Sequence, residues 1–291
     1  MPETLSTTNR LEEAYKLLSP CRLCPRNCKA MRLEGQKGFC GIGREAVVSS
    51  FGPHFGEERP LVGRYGSGTI FFAGCNLGCL FCQNYDISHL RAGEEVSPEY
   101  IASITLALEK RGCHNVNFVT PTHVSPQIME ATLIARKKGL SVPTVYNCGG
   151  YESVDTLKLL EGTIDIYMPD AKYAHAQWAK KFSGARDYPE VMKAALKEMH
   201  RQVGDLVIEN DIAVRGLLVR HLVMPNNVVG SKEIIDFIAE EISPNTYINI
   251  MDQYHPCFRA SEFEEINRRI TYEEFQEAYA YAQKRGLRLA E

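Results

Sequence analysis

Three cysteines on one short loop are the sharpest chemical feature of this chain. The stretch Gly74-Cys75-Asn76-Leu77-Gly78-Cys79-Leu80-Phe81-Cys82-Gln83-Asn84 spaces them as C-x3-C-x2-C. Three thiolates on a tight loop can hold three irons of a [4Fe-4S] cube and leave the fourth iron without a protein ligand. Gly74 and Gly78 let the backbone pass close to the cluster sulfurs. A structural zinc site takes four ligands, and no fourth is obvious within this loop. Zinc or inert thiols are the plainer reading, and three such closely spaced cysteines count against it.

A second set precedes it. Cys21-x2-Cys24-Pro25-x2-Cys28, followed by Gly38-Phe39-Cys40, supplies four thiolates on a glycine-punctuated stretch. C-x-x-C knuckles suit tetrahedral zinc, rubredoxin-like iron or an iron–sulfur cluster, and the spacing C-x2-C-x3-C-x11-C does not choose among them. A structural metal is expected here, with four unconnected thiols as the alternative. Because this set precedes the first strand expected of a barrel, the Cys75–Cys82 cluster is expected to form without it. Three of the ten cysteines stand alone. Cys148 and Cys257 follow polar strand ends, where a thiol could donate a hydrogen atom or bind substrate, or simply pack as a small hydrophobe. Cys113 reads as core.

These residues need elements to position them. From Gly68 onward, near-continuous apolar runs of strand length alternate with helical stretches: Thr69–Ala73, Val116–Val119, Val142–Tyr146, Ile164–Met168, Leu217–Val223 and Tyr247–Ile250. Runs apolar on both faces suit buried parallel strands. Ser97-Pro98-Glu99 reads as a helix start, Arg136-Lys137-Lys138-Gly139 as a helix end, and Thr271 with Glu274 as a capping box. A further helix is expected around Leu11 to Leu18. Six strand–helix units make most of a (β/α) barrel, although a doubly wound sheet shows the same alternation. Polar residues decide between them. Just after successive runs come Cys75, Thr120-Pro121-Thr122-His123, Asn147, and Asp170-Ala171-Lys172. Arg220 and His221 lie within the fifth run, and Asp252-Gln253-Tyr254-His255 follow the sixth. Barrel enzymes assemble their sites from the C-terminal ends of several strands. The expected organisation is an α/β fold: a four-cysteine metal-binding domain over residues 1–66, then a partial (β/α)6 barrel of the TIM type over 67–291.

Composition narrows the rest. The chain has 291 residues, 44% hydrophobic and 24% charged, with a net charge of -3. No basic field invites a nucleic-acid backbone, and no Lys/Arg-rich accessory segment suggests RNA. No run of 18 apolar residues is present, and MPETLSTTNR lacks the apolar core of a signal peptide, so a cytoplasmic protein is expected.

The cysteine loop resembles that of the radical S-adenosylmethionine (SAM) superfamily, and the resemblance extends over most of residues 68 to 255. It implies SAM chelated on the open iron and cleaved by one electron to methionine and a 5'-deoxyadenosyl radical. Phe81 is similar to the family's aromatic beside the adenine. Within the superfamily the closest resemblance is to activating enzymes of glycyl-radical proteins, notably that of pyruvate formate-lyase. Cys82-Gln83-Asn84 is similar to their Cys-x-Asn, Val145-Tyr146-Asn147 to their third-strand Asn element, and Asp170-Ala171-Lys172 to their Asp-x-Lys. Arg220 is similar to their fifth-strand Arg, and Tyr254-His255 to their Tyr-His. The resemblance implies that Asn84, Asn147, Asp170, Lys172, Arg220, Tyr254 and His255 line the SAM and hydrogen-transfer pocket. It also implies a flavodoxin- or ferredoxin-type reductant, and a glycyl-radical enzyme as substrate admitted through the open side of the barrel. The family's Gly-Gly-Glu, which binds the methionine amino group, is replaced by Thr120-Pro121-Thr122-His123. Threonine hydroxyls, a backbone carbonyl or His123 are the acceptors available there. Rival readings are a radical SAM enzyme acting on a small molecule or another protein side chain, and a non-catalytic iron–sulfur electron carrier or redox sensor.

Overall fold

The apolar runs become strands with small shifts of boundary. The computed structural model describes residues 7–290. Its strands are β1 (Ala46–His54), β2 (Ser67–Phe72), β3 (Glu94–Val96), β4 (Val116–Val119), β5 (Thr144–Cys148), β6 (Ile166–Pro169), β7 (Val207–Glu209), β8 (Ile212–Leu222), β9 (Tyr247–Met251) and β10 (Arg288–Leu289). They form one sheet in the order β10-β9-β8-β6-β5-β4-β2-β1-β3, with β7 paired to β8 off that path. The six expected runs are β2, β4, β5, β6, β8 and β9, and each pairs with the next in parallel register. The sheet ends at β3 and β10 without closing, which makes a partial barrel.

Local signals set the helix ends. The helix Pro98–Lys110 begins at Ser97, whose side chain accepts from the Tyr100 N–H. The helix Ser125–Lys137 stops at its basic run. Thr271 and Glu274 form both halves of the capping box that opens Tyr272–Lys284. The first helix covers Thr7–Lys16, starting earlier than its apolar pattern implies.

The boundary expected at residue 66 is crossed by the sheet. β1 pairs antiparallel with β2 from Val48↔Phe72 to His54↔Ser67, and β3 adds to its other side. The connection after β1 then enters the barrel. Leu61, fully buried, joins a cluster containing Val145, Ile166 and Leu218, while Glu58 accepts from Asn249 Nδ2 of β9 at 3.0 Å. Part of the barrel interior is thus filled by chain that precedes its first parallel strand. Among the described residues, no helix is long and apolar enough to cross a membrane.

Candidate functional site

Parallel strands all point their C-terminal ends the same way, so residues far apart in sequence meet there. A cavity of about 380 Å³ lies at those ends. It is lined by Cys75, Cys79, Phe81, Cys82 and Asn84 after β2, Thr120 after β4, and Asn147 and Cys148 of β5. Asp170 and Lys172 after β6, Arg220 of β8, and Tyr254 after β9 complete the wall. Residues from all six expected strand ends therefore share one space.

The cysteine loop leaves β2 by a turn that only glycine fits. Gly74 has φ +80°, and a Cβ there would stand 2.7 Å from the Cys40 carbonyl oxygen. Each sulfur receives a hydrogen bond. Leu77 N–H donates to Cys75 Sγ at 3.3 Å, Ser183 Oγ to Cys79 Sγ at 3.1 Å, and Ser88 Oγ to Cys82 Sγ at 3.1 Å. Such bonds favour the thiolate. Burial opposes them and pushes the Cys79 thiol up to about 12, with the Lys172 ammonium pulling the other way. Ionisation at this loop therefore calls for a bound cation. Among the described residues no three His, Cys, Asp or Glu side chains converge as on a single ion. Three thiolates that each hold a different iron of a cube have no need to converge, so this donor set fits a [4Fe-4S] cluster.

Opposite the loop is a buried ionic network. Asp170 accepts from Arg220 Nε at 2.8 Å and from Lys172 Nζ at 2.5 Å. Arg220 Nη2 donates to Asn147 Oδ1 at 2.7 Å, and its Nη1 lies 3.6 Å from Glu57. Burial alone would raise the Asp170 carboxyl, but Arg220 and Lys172 overrule it and hold it below the ordinary range. Glu57 goes the other way, because burial outweighs the pull of Arg220. Phe81 meets Tyr254 edge-on at 6.0 Å. The Tyr254 hydroxyl donates to the Ile266 carbonyl at 2.7 Å, which fixes the ring.

Three expected residues lie elsewhere. The Thr122 hydroxyl donates to Glu152 Oε1 at 2.6 Å, buried behind the cavity wall. His123 is buried with Nε2 at 2.8 Å from the Ala73 carbonyl, and burial, aided by the nearby Arg32 charge, lowers its pKa to about 3. It is a neutral imidazole bracing the exit of β2. Of the Thr120–His123 segment only Thr120 reaches the cavity, with φ +60° and its N–H on the Asn147 carbonyl at 2.9 Å. A 3-10 turn over Thr122–Val124 carries the other two side chains away from the mouth. His255 is outside the lining, half-exposed, with Nδ1 at 3.2 Å from Gln83 Nε2. Cys148 is buried in the wall, Cys257 lies outside it, and Cys113 is core.

Sequence reading overlooked Glu57, Glu152 and Arg26. Glu57 rides in on the connection after β1. Glu152 is buried under Tyr146 and Thr122, and burial raises its pKa to about 7. Arg26, between Cys24 and Cys28, donates to the carbonyls of Asn76 and Leu77 at 2.8 Å each, and to those of Ser183 and Gly184 at 2.6 Å each. The N-terminal cysteine segment is thereby clamped onto the Cys75–Cys82 loop through Arg26, a contact the sequence spacing does not announce. A lone arginine beside a cysteine knuckle carries no local signal of such a role.

The radical SAM superfamily model matches residues 69–238. The chain is 33% identical over 290 residues to an uncharacterized protein of Methanocaldococcus jannaschii, covering 96% of this chain and 79% of that one. It is 26% identical over 264 residues to a second uncharacterized protein of that organism, covering 83% and 72%. Among solved structures it is similar to a radical SAM methyltransferase from Sphaerobacter thermophilus, with a TM-score of 0.53 at 12% identity. That match covers 77% of this chain and 65% of the methyltransferase, just under two thirds of its length, and is a likeness of fold.

Proposed function

This chain belongs to the radical SAM superfamily, and on that premise we propose that its cavity generates a substrate radical by hydrogen abstraction, with a glycyl residue of a partner protein as the substrate. The observation that carries the reading is the single cavity joining Cys75, Cys79 and Cys82 to Asn147, Asp170, Lys172 and Arg220. When held by Cys75, Cys79 and Cys82, a [4Fe-4S] cluster together with SAM would supply one-electron reductive cleavage of the sulfonium and the hydrogen-abstracting power that follows from it.

The protein's own residues do the rest. The three cysteines hold the cluster on one wall, and hydrogen bonds from Leu77, Ser183 and Ser88 orient their sulfurs. Lys172 and Arg220, locked by Asp170, set a fixed polar wall at which a SAM carboxylate or hydroxyl can be oriented without reorganisation. Phe81 and Tyr254 give an apolar face that keeps water from a reactive intermediate. Within the Thr120–His123 segment, Thr120 is the residue at the cavity that can accept from the SAM ammonium. An iron–sulfur carrier would have no use for this ionic wall. A flavodoxin- or ferredoxin-type protein is the proposed electron donor.

The test is anaerobic turnover with SAM and a strong reductant, using a glycyl-radical enzyme deuterated at glycine Cα. The expected result is 5'-deoxyadenosine carrying deuterium, together with a glycyl radical signal in electron paramagnetic resonance. Deuterium-free 5'-deoxyadenosine with no protein radical would refute the glycyl substrate and leave the SAM cleavage standing.

A further inference from the structure

The four cysteines of the N-terminal segment lie outside the cavity, and the chemistry above leaves them unused. Their thiols stand together. Cys28 is hydrogen-bonded to Cys21, Cys24 lies within the field of Cys21 and Cys40, and Cys40 lies within that of Cys21 and Cys28. Three of them share one local turn, in which the backbone N–H two residues on donates to the sulfur: Arg26 to Cys24, Ala30 to Cys28, Ile42 to Cys40. The Phe39 N–H also reaches Cys28. Gly38 makes this approach possible, because a Cβ there would sit 2.8 Å from Cys28 Sγ.

A second observation is independent of the sulfurs. Arg32 is 1% exposed, among the most deeply buried side chains of the molecule. Its Nε donates to the Gly43 carbonyl at 2.9 Å, its Nη1 lies 3.9 Å from Cys21 Sγ, and its Nη2 has no partner. No carboxylate pairs with it among the described residues. Cys40 and the neutral His123 also lie within its field. A guanidinium in so dry a place needs a compensating negative charge. The neighbouring thiols Cys21 and Cys40 can supply one.

We propose that Cys21, Cys24, Cys28 and Cys40 hold a thiolate-bound metal centre of net negative charge, with Arg32 as its buried counter-ion. Four thiolates on one divalent ion, or on a four-iron cube, leave a net charge of about −2. The sulfurs do not converge on an ion-sized point as they stand. A single ion would require them to draw closer, whereas a cube spans a wider spacing. With the metal in place the knuckle is rigid, and Arg26 transmits that rigidity to the carbonyls of Asn76 and Leu77. The centre is independent of the substrate reading.

The experiment uses the full-length Cys75→Ala, Cys79→Ala, Cys82→Ala chain, purified without oxygen and offered zinc, or iron with sulfide. The proposal expects about one zinc or iron per chain without sulfide, or about four irons with matching sulfide. Further replacement of Cys21, Cys24, Cys28 and Cys40 by Ser should remove that metal. A triple variant that takes up no metal, or metal that survives the additional replacements, overturns the proposal. Arg32→Met provides a test that spares the ligands. Loss of the counter-ion should speed metal release to a chelator about tenfold or more, while the stripped protein gains stability because an unpaired charge has gone. Unchanged release together with a less stable stripped protein would show that Arg32 has no anionic centre to serve.

Discussion

The Cys75–Cys82 loop starts where β2 ends, and the sheet aims it. Its neighbours across the cavity are the ends of β4, β5, β6 and β8. The Cys21–Cys40 segment has no strand at all. It is held by tight turns, by a buried arginine, and by a second arginine that reaches out to the first loop. The two sets even touch, since the Cys40 carbonyl leaves no room for a Cβ on Gly74. One set takes its geometry from the fold. The other takes its geometry from polar contacts and supports the first. Cysteine-bearing loops in one chain can thus differ in what holds them, and the loop without a strand can act as the brace.

Substitutions in and between the two regions would break or sharpen this contrast. The largest effect is expected for the combined Cys75→Ala, Cys79→Ala, Cys82→Ala change, which should abolish 5'-deoxyadenosine formation and the absorption of the cavity cluster. Chromatographic assay of the product checks it, and undiminished SAM cleavage would remove the sheet-aimed loop from the chemistry.

Next is Asp170→Ala. It leaves Lys172 and Arg220 buried and facing each other, a loss of about 3–5 kcal/mol for a broken buried pair. Denaturant unfolding measures it, and SAM affinity should fall as well. Stability within about 1 kcal/mol of wild type would mean that the ionic wall is not what holds this side of the cavity.

Arg26→Ala should cost about 2 kcal/mol, because its four carbonyl bonds come from a half-exposed guanidinium and are not additive. The cavity cluster should also be lost faster to a chelator. Arg26→Lys keeps the charge but not the fork and should recover only part of this. Full cluster retention in Arg26→Ala would undo the bracing role.

The smallest effect concerns the ground between the two sets. Glu152 lies within the field of Cys24 on one side and is bonded to Thr122 on the other. Its folded pKa is raised from 4.5 to about 7. The folded state therefore holds the proton more tightly, so this stabilisation is complete below about pH 4.5 and is lost as pH rises through about 7. Glu152→Gln should flatten that fall, by on the order of 1–3 kcal/mol over the window. Unfolding midpoints at pH 5 and pH 8 would show it, and an unchanged slope would place the titration elsewhere. Thr122→Val, which touches the same carboxyl, should leave SAM affinity unchanged because its hydroxyl faces away from the cavity.

Much of this was legible in the residues alone. The parallel strands β2, β4, β5, β6, β8 and β9, the capping box at Thr271 and Glu274, and the cysteine loop after β2 all follow from patterns within a few residues of one another. Apolar periodicity, caps and ligand spacing are local, and a chain expresses them wherever it lies. Strand ends were legible for a related reason: parallel pairing puts every C-terminal end on one side, so Asn147, Asp170 and Arg220 had to be near each other.

Tertiary structure alone decided the remainder. It turned Thr122 and His123 inward, brought Glu57 to Arg220, and joined Arg26 to Gly184, 158 residues further along the chain. It also left Arg32 without a carboxylate beside Cys21. A side chain's spacing in sequence says nothing about which distant carbonyl or sulfur will lack a partner once the core has closed. Those pairings are chosen by the requirement that buried polar groups be satisfied, and that requirement exists only after water has been excluded.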